Sequence, residues 1–469
     1  MTRHLVWFRQ DLRVYDNTAL WHACLDPEVE VIALFCATPQ QWRLHDMSPV
    51  RERFLWRNLA ALKERLGELN IPLMVKHCQT FEDCVQDLPT LCEELGVTNL
   101  YANYEYPVNE QKRDRVIREV LADKVSCHWY HDFGIKPLGL LTKTGNPYTV
   151  FSPFKRAWIE RWRADPAPIY PSPEPRRCSA AVPSSDLPAV DKQAVDQFWP
   201  AGEDAAMNRL AHFCEDRIDH YKAKRDLPAE PGTSELSPYL AAGVISPRVC
   251  LDAAIGANRG DIHEGRQGPD TWISELIWRD FYIHILDTYP RVSMNRCFRV
   301  EGEKIPWRNA PEDFAAWCDG RTGYPIVDAA MRQLVQTGWM HNRLRMLVAM
   351  FLTKQLLIDW REGERFFMQH LIDGDLGANN GGWQWAASTG TDAAPYFRIF
   401  NPVTQSQKFD ASGAFIRRFV PELAELSDKD IHMPAPIVLQ SLDAGYPAPI
   451  VELKFARERC LSAFKSVQK

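Results

Sequence analysis

LVWF (residues 5–8), VIALF (31–35), PLMVKH (72–77), NLYANY (99–104) and VSCHWY (125–130) are short β-branched or aromatic runs separated by amphipathic segments. Strands alternating with helical patterns imply a parallel sheet with helical crossovers. Residues 1–130 therefore read as an α/β domain built on a parallel, Rossmann-like sheet. Within it, Ser48 and Pro49 carry helix-start signals, and Phe54, Leu55, Leu59, Leu62 and Leu66 recur on one side of the helix they begin. No G-x-G-x-x-G follows the first run and no P-loop pattern occurs, which disfavours ordinary dinucleotide or ATP chemistry here.

Working outward, the composition changes between Arg163 and Pro200 to Pro, Ala and Ser, with eight prolines from Pro166 to Pro200. This reads as a long surface linker, and residues 131–204 are assigned to the interdomain connection. Beyond it the periodicity is helical. Thr271 to Asp287, Tyr324 to Val335, Met340 to Ile358 and Glu362 to Ile372 each carry apolar residues three and four apart, with Gly338 as a stop signal. Residues 205–469 are expected to form an all-α domain, and 469 residues leave room for two cores.

A net charge of -6 does not announce a nucleic-acid binder, so any phosphate contact must come from a local basic patch. The twelve cysteines include no Cys-x-x-Cys pair, which fits reduced thiols better than a disulfide framework or a zinc site, and no metal is expected. No apolar run reaches membrane length, since Lys354 interrupts the best candidate, and the start lacks signal-peptide features. A cytoplasmic protein is expected. Half of the sixteen tryptophans fall between Trp272 and Trp385; a tryptophan-rich core and a buried aromatic cofactor explain that equally well.

The stretch LIDGDLGANNGGWQWAASTGTDAAPYFRIFNP (371–402) is too irregular for one long helix and too polar for a plain core element. Asp373 and Asp375 offer acceptors, Asn379 and Asn380 offer amides, Gly381 and Gly382 permit close backbone approach, and Trp383 and Trp385 offer stacking surfaces on two different walls. That inventory suits a large aromatic ligand. In the Thr271–Asp287 segment, Glu275, Trp278 and Tyr282 share one helical face, opposite Ile273, Ile277, Phe281 and Ile285; a partly exposed glutamate on an ordinary helix fits this segment, taken alone, better than a ligand-binding face does. Asn342, Arg345 and Met346 share another surface, where Arg345 is placed to pair with Asp373 or Asp375; a plain core salt bridge fits equally well. Thr233-Ser234-Glu235-Leu236-Ser237 is a hydroxyl-rich turn before a helical run, suited to a diphosphate, although such runs are usually just helix caps.

Taken together, LVWFRQDLRVYDNTAL (5–20), TSELS (233–237) with YLAAGVISP (239–247), WISELIWRDFY (272–282), GYPIVDAAMRQL (323–334), WMHNRLRM (339–346) and the 371–402 stretch resemble the photolyase and cryptochrome family, most closely its bacterial cyclobutane pyrimidine dimer photolyases. The likeness runs through both halves and fails only in the linker and the last sixty or so residues.

The resemblance implies an antenna-binding N-terminal domain and a helical, FAD-binding C-terminal domain whose active cofactor is reduced. It implies that Tyr221, Thr233, Ser234, Glu235, Leu236 and Ser237 hold the diphosphate region, and that Asn342, Arg345, Asp373, Gly374 and Asp375 surround the flavin. Asn379 would face the central flavin nitrogen, where an amide suits a reduced, negatively charged ring better than a carboxylate does. Trp383, Trp360 and Trp307 would relay an electron from the surface. Glu275, Trp278, Tyr282, Met346 and Trp385 would receive a flipped-out pyrimidine dimer. Arg225, Asn342 and Arg343 would contact the damaged strand without reading its sequence. Asn342 and Met346 stand where enzymes for pyrimidine-pyrimidone lesions carry a histidine pair. Asn109 and Glu110 match positions that hold a pterin antenna, methenyltetrahydrofolate, with a deazaflavin as the alternative. Glu235 departs from the basic residue often found in the Thr-Ser-x-Leu-Ser run. The function implied is light-driven dimer repair by a monomer. The alternative is a blue-light cryptochrome that binds FAD without repair, against which stand the intact lesion set and the short chain after the site.

Overall fold

The structure, a computed structural model, describes residues 2–136, 138–437 and 445–467. The five expected strands form: β1 (Arg3–Phe8), β2 (Glu30–Ala37), β3 (Leu73–His77), β4 (Asn99–Asn103) and β5 (Ser126–Tyr130). All pairings are parallel, in the order β3-β2-β1-β4-β5, with Leu5 opposite both Ile32 and Leu100. β1 and β2 are buried almost throughout, as a sheet covered on both faces requires. Their side chains pack with Leu88, Cys92, Ile117 and Leu121 of the crossover helices Phe81–Glu94 and Val108–Leu121. The helix Pro49–Glu68 begins as its sequence implies, with Ser48 Oγ accepting from the Arg51 amide at 3.1 Å and all five apolar positions buried.

The expected linker is not a loose tether. It contains the helix Phe151–Ala164, and its proline-rich part is strapped along the edge strand β3. Ser184 Oγ accepts from the Leu73 amide at 3.1 Å, Ser185 Oγ accepts from the Val75 amide at 2.9 Å, and the Ser185 amide donates to Leu73 O at 2.8 Å. Proline-rich chain is extended, so it can lie beside a strand, and two serines satisfy the edge amides that a neighbouring strand would have taken.

The described chain groups into two compact units, residues 1–219 with 234–290, and residues 220–233 with 291–469. Neither division lies at residue 204. In the first unit a buried ion network explains why residues 234–290 group with the sheet. Arg248 reaches Asp16 at 2.9 Å and Asp132 at 2.7 Å, and Arg13 also pairs with Asp132. The second unit is helical, with one core running through Trp317, Met331, Leu347, Phe351, Trp360, Phe367, Trp383 and Phe415. Its helix Pro325–Thr337 ends where Gly338 adopts a left-handed φ of 69°, which a glycine reaches without strain.

Two helical expectations change. Met340 to Ile358 is not one α-helix: Asn342–Met350 is followed by a π-helical turn, Phe351–Gln355. That turn carries Lys354 fully buried, its ammonium 3.7 Å from the centre of the Phe464 ring and 2.7 Å from Ser388 Oγ. Burial pushes the Lys354 ammonium down to about 7. The segment expected at Glu362–Ile372 is the helix Trp360–Met368, started by Asp359, whose carboxylate accepts from the Arg361 amide at 3.1 Å.

Candidate active site

Asp375 caps the helix Leu376–Ala387 by accepting from the Ala378 amide at 2.8 Å. Residues 376–387 of the 371–402 stretch are therefore helical, and Asn379, Asn380, Trp383 and Trp385 take their directions from that one helix. The choice left open for Arg345 resolves to Asp373: its guanidinium lies 2.7 Å from Asp373 Oδ2, and its Nε donates to Met340 O at 2.7 Å. Asp373 is buried and its Oδ1 has no protein partner. A buried carboxylate oxygen left without a donor is costly in a finished core, so this position fits a ligand hydroxyl or N–H. Gly374 beside it is buried as well.

Asn379 is 9% exposed and donates through Nδ2 to Glu364 O at 3.0 Å, which holds its side chain in one orientation. Asn380 is used up in packing: it donates to Glu364 Oε1 at 3.2 Å and accepts from Gln384 Nε2 at 2.8 Å. Gln384 in turn accepts from the Phe298 amide at 2.8 Å. Glu364 did not stand out in the sequence, because a buried amide ladder has no periodic signature.

The helix Asn342–Met350 is started by His341, whose Nδ1 accepts from the Arg343 amide at 3.2 Å. His341 is 2% exposed and its Nε2 has no protein partner. Burial, with help from Arg343, Arg345 and Arg225 and against Asp226, pulls its imidazole down to about 4. It is a neutral cap at ordinary pH. Asn342 is exposed, while Arg343, Arg345 and Met346 are half-buried. Arg343 is engaged by Asp226 at 2.8 Å and lies 4.5 Å from the Phe409 ring centre; Arg225 lies 5.3 Å from the ring of buried Tyr221.

Trp383 is 2% and Trp360 0% exposed, whereas Trp307 is half-buried and meets Phe464 edge-on at 6.1 Å. Exposure thus rises toward Trp307. Trp383 is wedged among rings, with Phe367 at 5.0 Å and Trp317 at 6.0 Å, both near perpendicular. Trp317 was not singled out by its sequence context. Trp385 is partly buried, with the Arg398 guanidinium 5.9 Å from its ring.

The division falls between Thr233, in the second unit, and Ser234, and the remaining expected residues from Ser234 on belong to the first unit. Thr233, Ser234 and Glu235 are half-buried, Leu236 is buried and Ser237 is exposed at the start of a short helix, Ser237–Ala241. Glu235 has a left-handed φ of 52° and pairs with Arg209 at 2.7 Å, so the acid in place of the basic residue serves a local ion pair. On the helix Gln267–Thr288, Ile273, Ile277, Phe281 and Ile285 are buried, and Glu275, Trp278 and Tyr282 are half-buried. Phe151 stacks on Trp278 at 3.7 Å and 8°, which fixes the indole plane as a preformed platform.

On the helix after β4, Glu110 is buried and Asn109 is exposed. His45 joins them, with its Nδ1 3.5 Å from Glu110 Oε1 and its Nε2 3.2 Å from Asn109 Nδ2. Glu110 Oε2 has no protein partner. Burial and the neighbouring Glu105 carboxylate push the Glu110 carboxyl up to about 7. Such a group suits the amino and N–H edge of a pterin.

A folded-state value above the unfolded one means that the folded protein keeps a proton the unfolded chain releases. Stability held below pH 4.5 is therefore lost as pH rises toward 7, at up to about 1.4 kcal/mol per pH unit. Glu110→Gln should flatten that slope, which denaturant titrations across this range would read. An unchanged slope would show that the carboxyl is not held in this way.

A family model described as "DNA photolyase" matches residues 4–175, and one described as "FAD binding domain of DNA photolyase" matches residues 272–466. The chain is 46% identical over 473 residues to a protein of Escherichia coli named deoxyribodipyrimidine photo-lyase, covering 100% of both chains. A Neurospora crassa protein of the same name is 40% identical, covering 98% of this chain and 81% of its own. Among solved structures, a bacterial class III photolyase from Agrobacterium tumefaciens superposes with a TM-score of 0.89 at 36% identity, covering 100% of this chain and 98% of that one. A Synechocystis cryptochrome superposes with a TM-score of 0.88 at 28% identity, covering 99% of each.

Proposed function

The chain belongs to the DNA photolyase family, and from that premise we propose how its residues serve light-driven repair of cyclobutane pyrimidine dimers in DNA. It is a flavoprotein lyase, a deoxyribodipyrimidine photo-lyase. Reduced FAD, when bound, supplies the photoexcited electron that opens the cyclobutane ring and recovers it afterwards, with no net redox change. The full-length similarity to the Escherichia coli enzyme carries this reading and favours it over a signalling cryptochrome.

The protein's own residues bind, orient and insulate. Asp373, held by Arg345, offers its unpartnered Oδ1 to the flavin, and Asn379, fixed by Glu364 O, presents an amide where negative charge accumulates. Tyr221, Thr233, Ser234, Leu236 and Ser237 serve the diphosphate region, with Gly374, Asp375 and Asn342 close to the ring and ribityl. Glu235 contributes backbone there, since its carboxylate is given to Arg209. Trp278, Tyr282 and Trp385 stack on the extruded dimer, Met346 packs against it and Glu275 accepts from a base edge. Arg225, Asn342 and Arg343 bind phosphate or sugar. Trp383, Trp360 and Trp307 relay electrons inward. Asn109 and Glu110 hold a folate antenna.

Residues 1–130 serve the antenna and residues 205–469 the flavin, with 131–204 joining them, in a cytoplasmic monomer. No described helix is long and apolar enough to cross a membrane.

Illuminating chemically reduced protein with a dimer-containing oligonucleotide should remove the dimer, assayed by chromatography; no loss of dimer would favour a signalling role. Trp383→Phe separates the two electron routes. Photoreduction of the oxidised protein should fall to near background, while the chemically reduced variant still repairs. Equal photoreduction by variant and parent would remove Trp383 from the relay.

A further inference from the structure

Three of the twelve cysteines converge at one end of the sheet. Cys36 is the penultimate residue of β2, Cys78 follows β3 directly and its amide bonds to Ala37 O at 2.9 Å, and Cys84 sits in the first turns of the helix Phe81–Glu94. Their three sulfurs lie within 4.8 Å of one another. A d10 ion with metal–sulfur bonds of about 2.3 Å needs three sulfurs roughly 4 Å apart, which side-chain adjustment alone supplies. A disulfide would join only two of them and strand the third.

Cys78 and Cys84 are 1% exposed and Cys36 is half-buried. Asp87 Oδ2, 3.8 Å from Cys78 Sγ and also 3.3 Å from Lys76, stands by as an oxygen donor.

We propose that Cys36, Cys78 and Cys84 form a three-thiolate site for a single soft d10 cation of the Zn2+ class, with Asp87 beside it as a fourth donor. Soft sulfur ligands select such ions over Mg2+ or Ca2+. Binding forms one metal–sulfur bond per cysteine and releases each thiol proton to solvent, so uptake strengthens as pH rises and no oxidant or reductant is consumed. The ion staples the ends of β2 and β3 to the following helix. This site is independent of dimer repair and revises the expectation that the chain binds no metal.

The test uses full-length flavoprotein, reduced and chelator-treated, then given Cd2+ alone. We expect one equivalent retained after desalting, a sulfur-to-cadmium charge-transfer band in the ultraviolet difference spectrum, and a raised Tm. Cys36→Ser and Cys84→Ser should each weaken retention at least about tenfold, and Cys178→Ser, on the strap, should not. Should the variants fail to fold, alkylation of the parent followed by peptide mapping decides: Cd2+ must shield Cys36, Cys78 and Cys84 together. Labelling of these three that is indifferent to Cd2+, retention in Cys84→Ser equal to the parent, or a Cys36–Cys78 disulfide that takes up no ion would each overturn the proposal.

Discussion

Arg345→Ala is expected to release the flavin and destabilise the protein together. The substitution removes the charge partner 2.7 Å from Asp373 Oδ2 and leaves a carboxylate whose side chain is 2% exposed with neither oxygen paired. Breaking a fully buried ion pair from one side costs roughly 3–5 kcal/mol. Arg345 is itself 25% exposed, so water will solvate part of the gap, and a loss of about 2–3 kcal/mol is the appropriate scale. The flavin-to-protein absorbance ratio after gel filtration should drop steeply, and the denaturant midpoint should fall with it. Arg345→Lys keeps the charge but loses the Nε bond to Met340 O, and should sit between the two. An alanine variant that kept both flavin and midpoint would remove this pair from the site.

Gly363→Ala should be comparably damaging for a steric reason. In the interior of the helix Trp360–Met368 alanine ordinarily gains about 1 kcal/mol over glycine. Here a Cβ would be driven into the indole ring of Trp383 and would stand 2.6 Å from Leu352 Cδ2. Overpacking of this kind costs typically 1–3 kcal/mol, so the clash outweighs the propensity gain. Relief requires the Trp383 ring to move, and photoreduction should therefore fall along with Tm. Gly256→Ala is the control, because its Cβ would meet nothing within 4 Å; it should be neutral or stabilising by up to about 1 kcal/mol. Should Gly363→Ala match that control in both readouts, the close approach of Gly363 to Trp383 is not rigid.

The two substitutions also separate what was readable in the chain from what was not. Arg345 and Asp373 drew notice as members of two polar clusters, yet the sequence allowed Asp373 and Asp375 equally. The structure assigns Asp373 to Arg345 and Asp375 to the helix cap. Gly363 gave no signal, since a glycine within a periodic segment looks the same whether an indole or solvent lies over it.

Local rules carried far in this protein. The five strand cores, the Ser48 cap, the Gly338 stop and the apolar stripe of Gln267–Thr288 follow from periodicity and capping, which depend on neighbours a few residues away. Properties set by residues distant in the chain did not emerge in that way. The proline-rich segment read as a linker because composition reports extended backbone and not what that backbone lies against; β3 holds it by hydrogen bonds more than a hundred residues apart. Cys36, Cys78 and Cys84 looked scattered because no short spacing joins them, and parallel β2–β3 pairing followed by one helical turn is what brings their sulfurs together. Short-range pattern thus specified the elements, while parallel pairing and close packing determined which side chains meet, since contacts between remote segments exist only once the chain has folded.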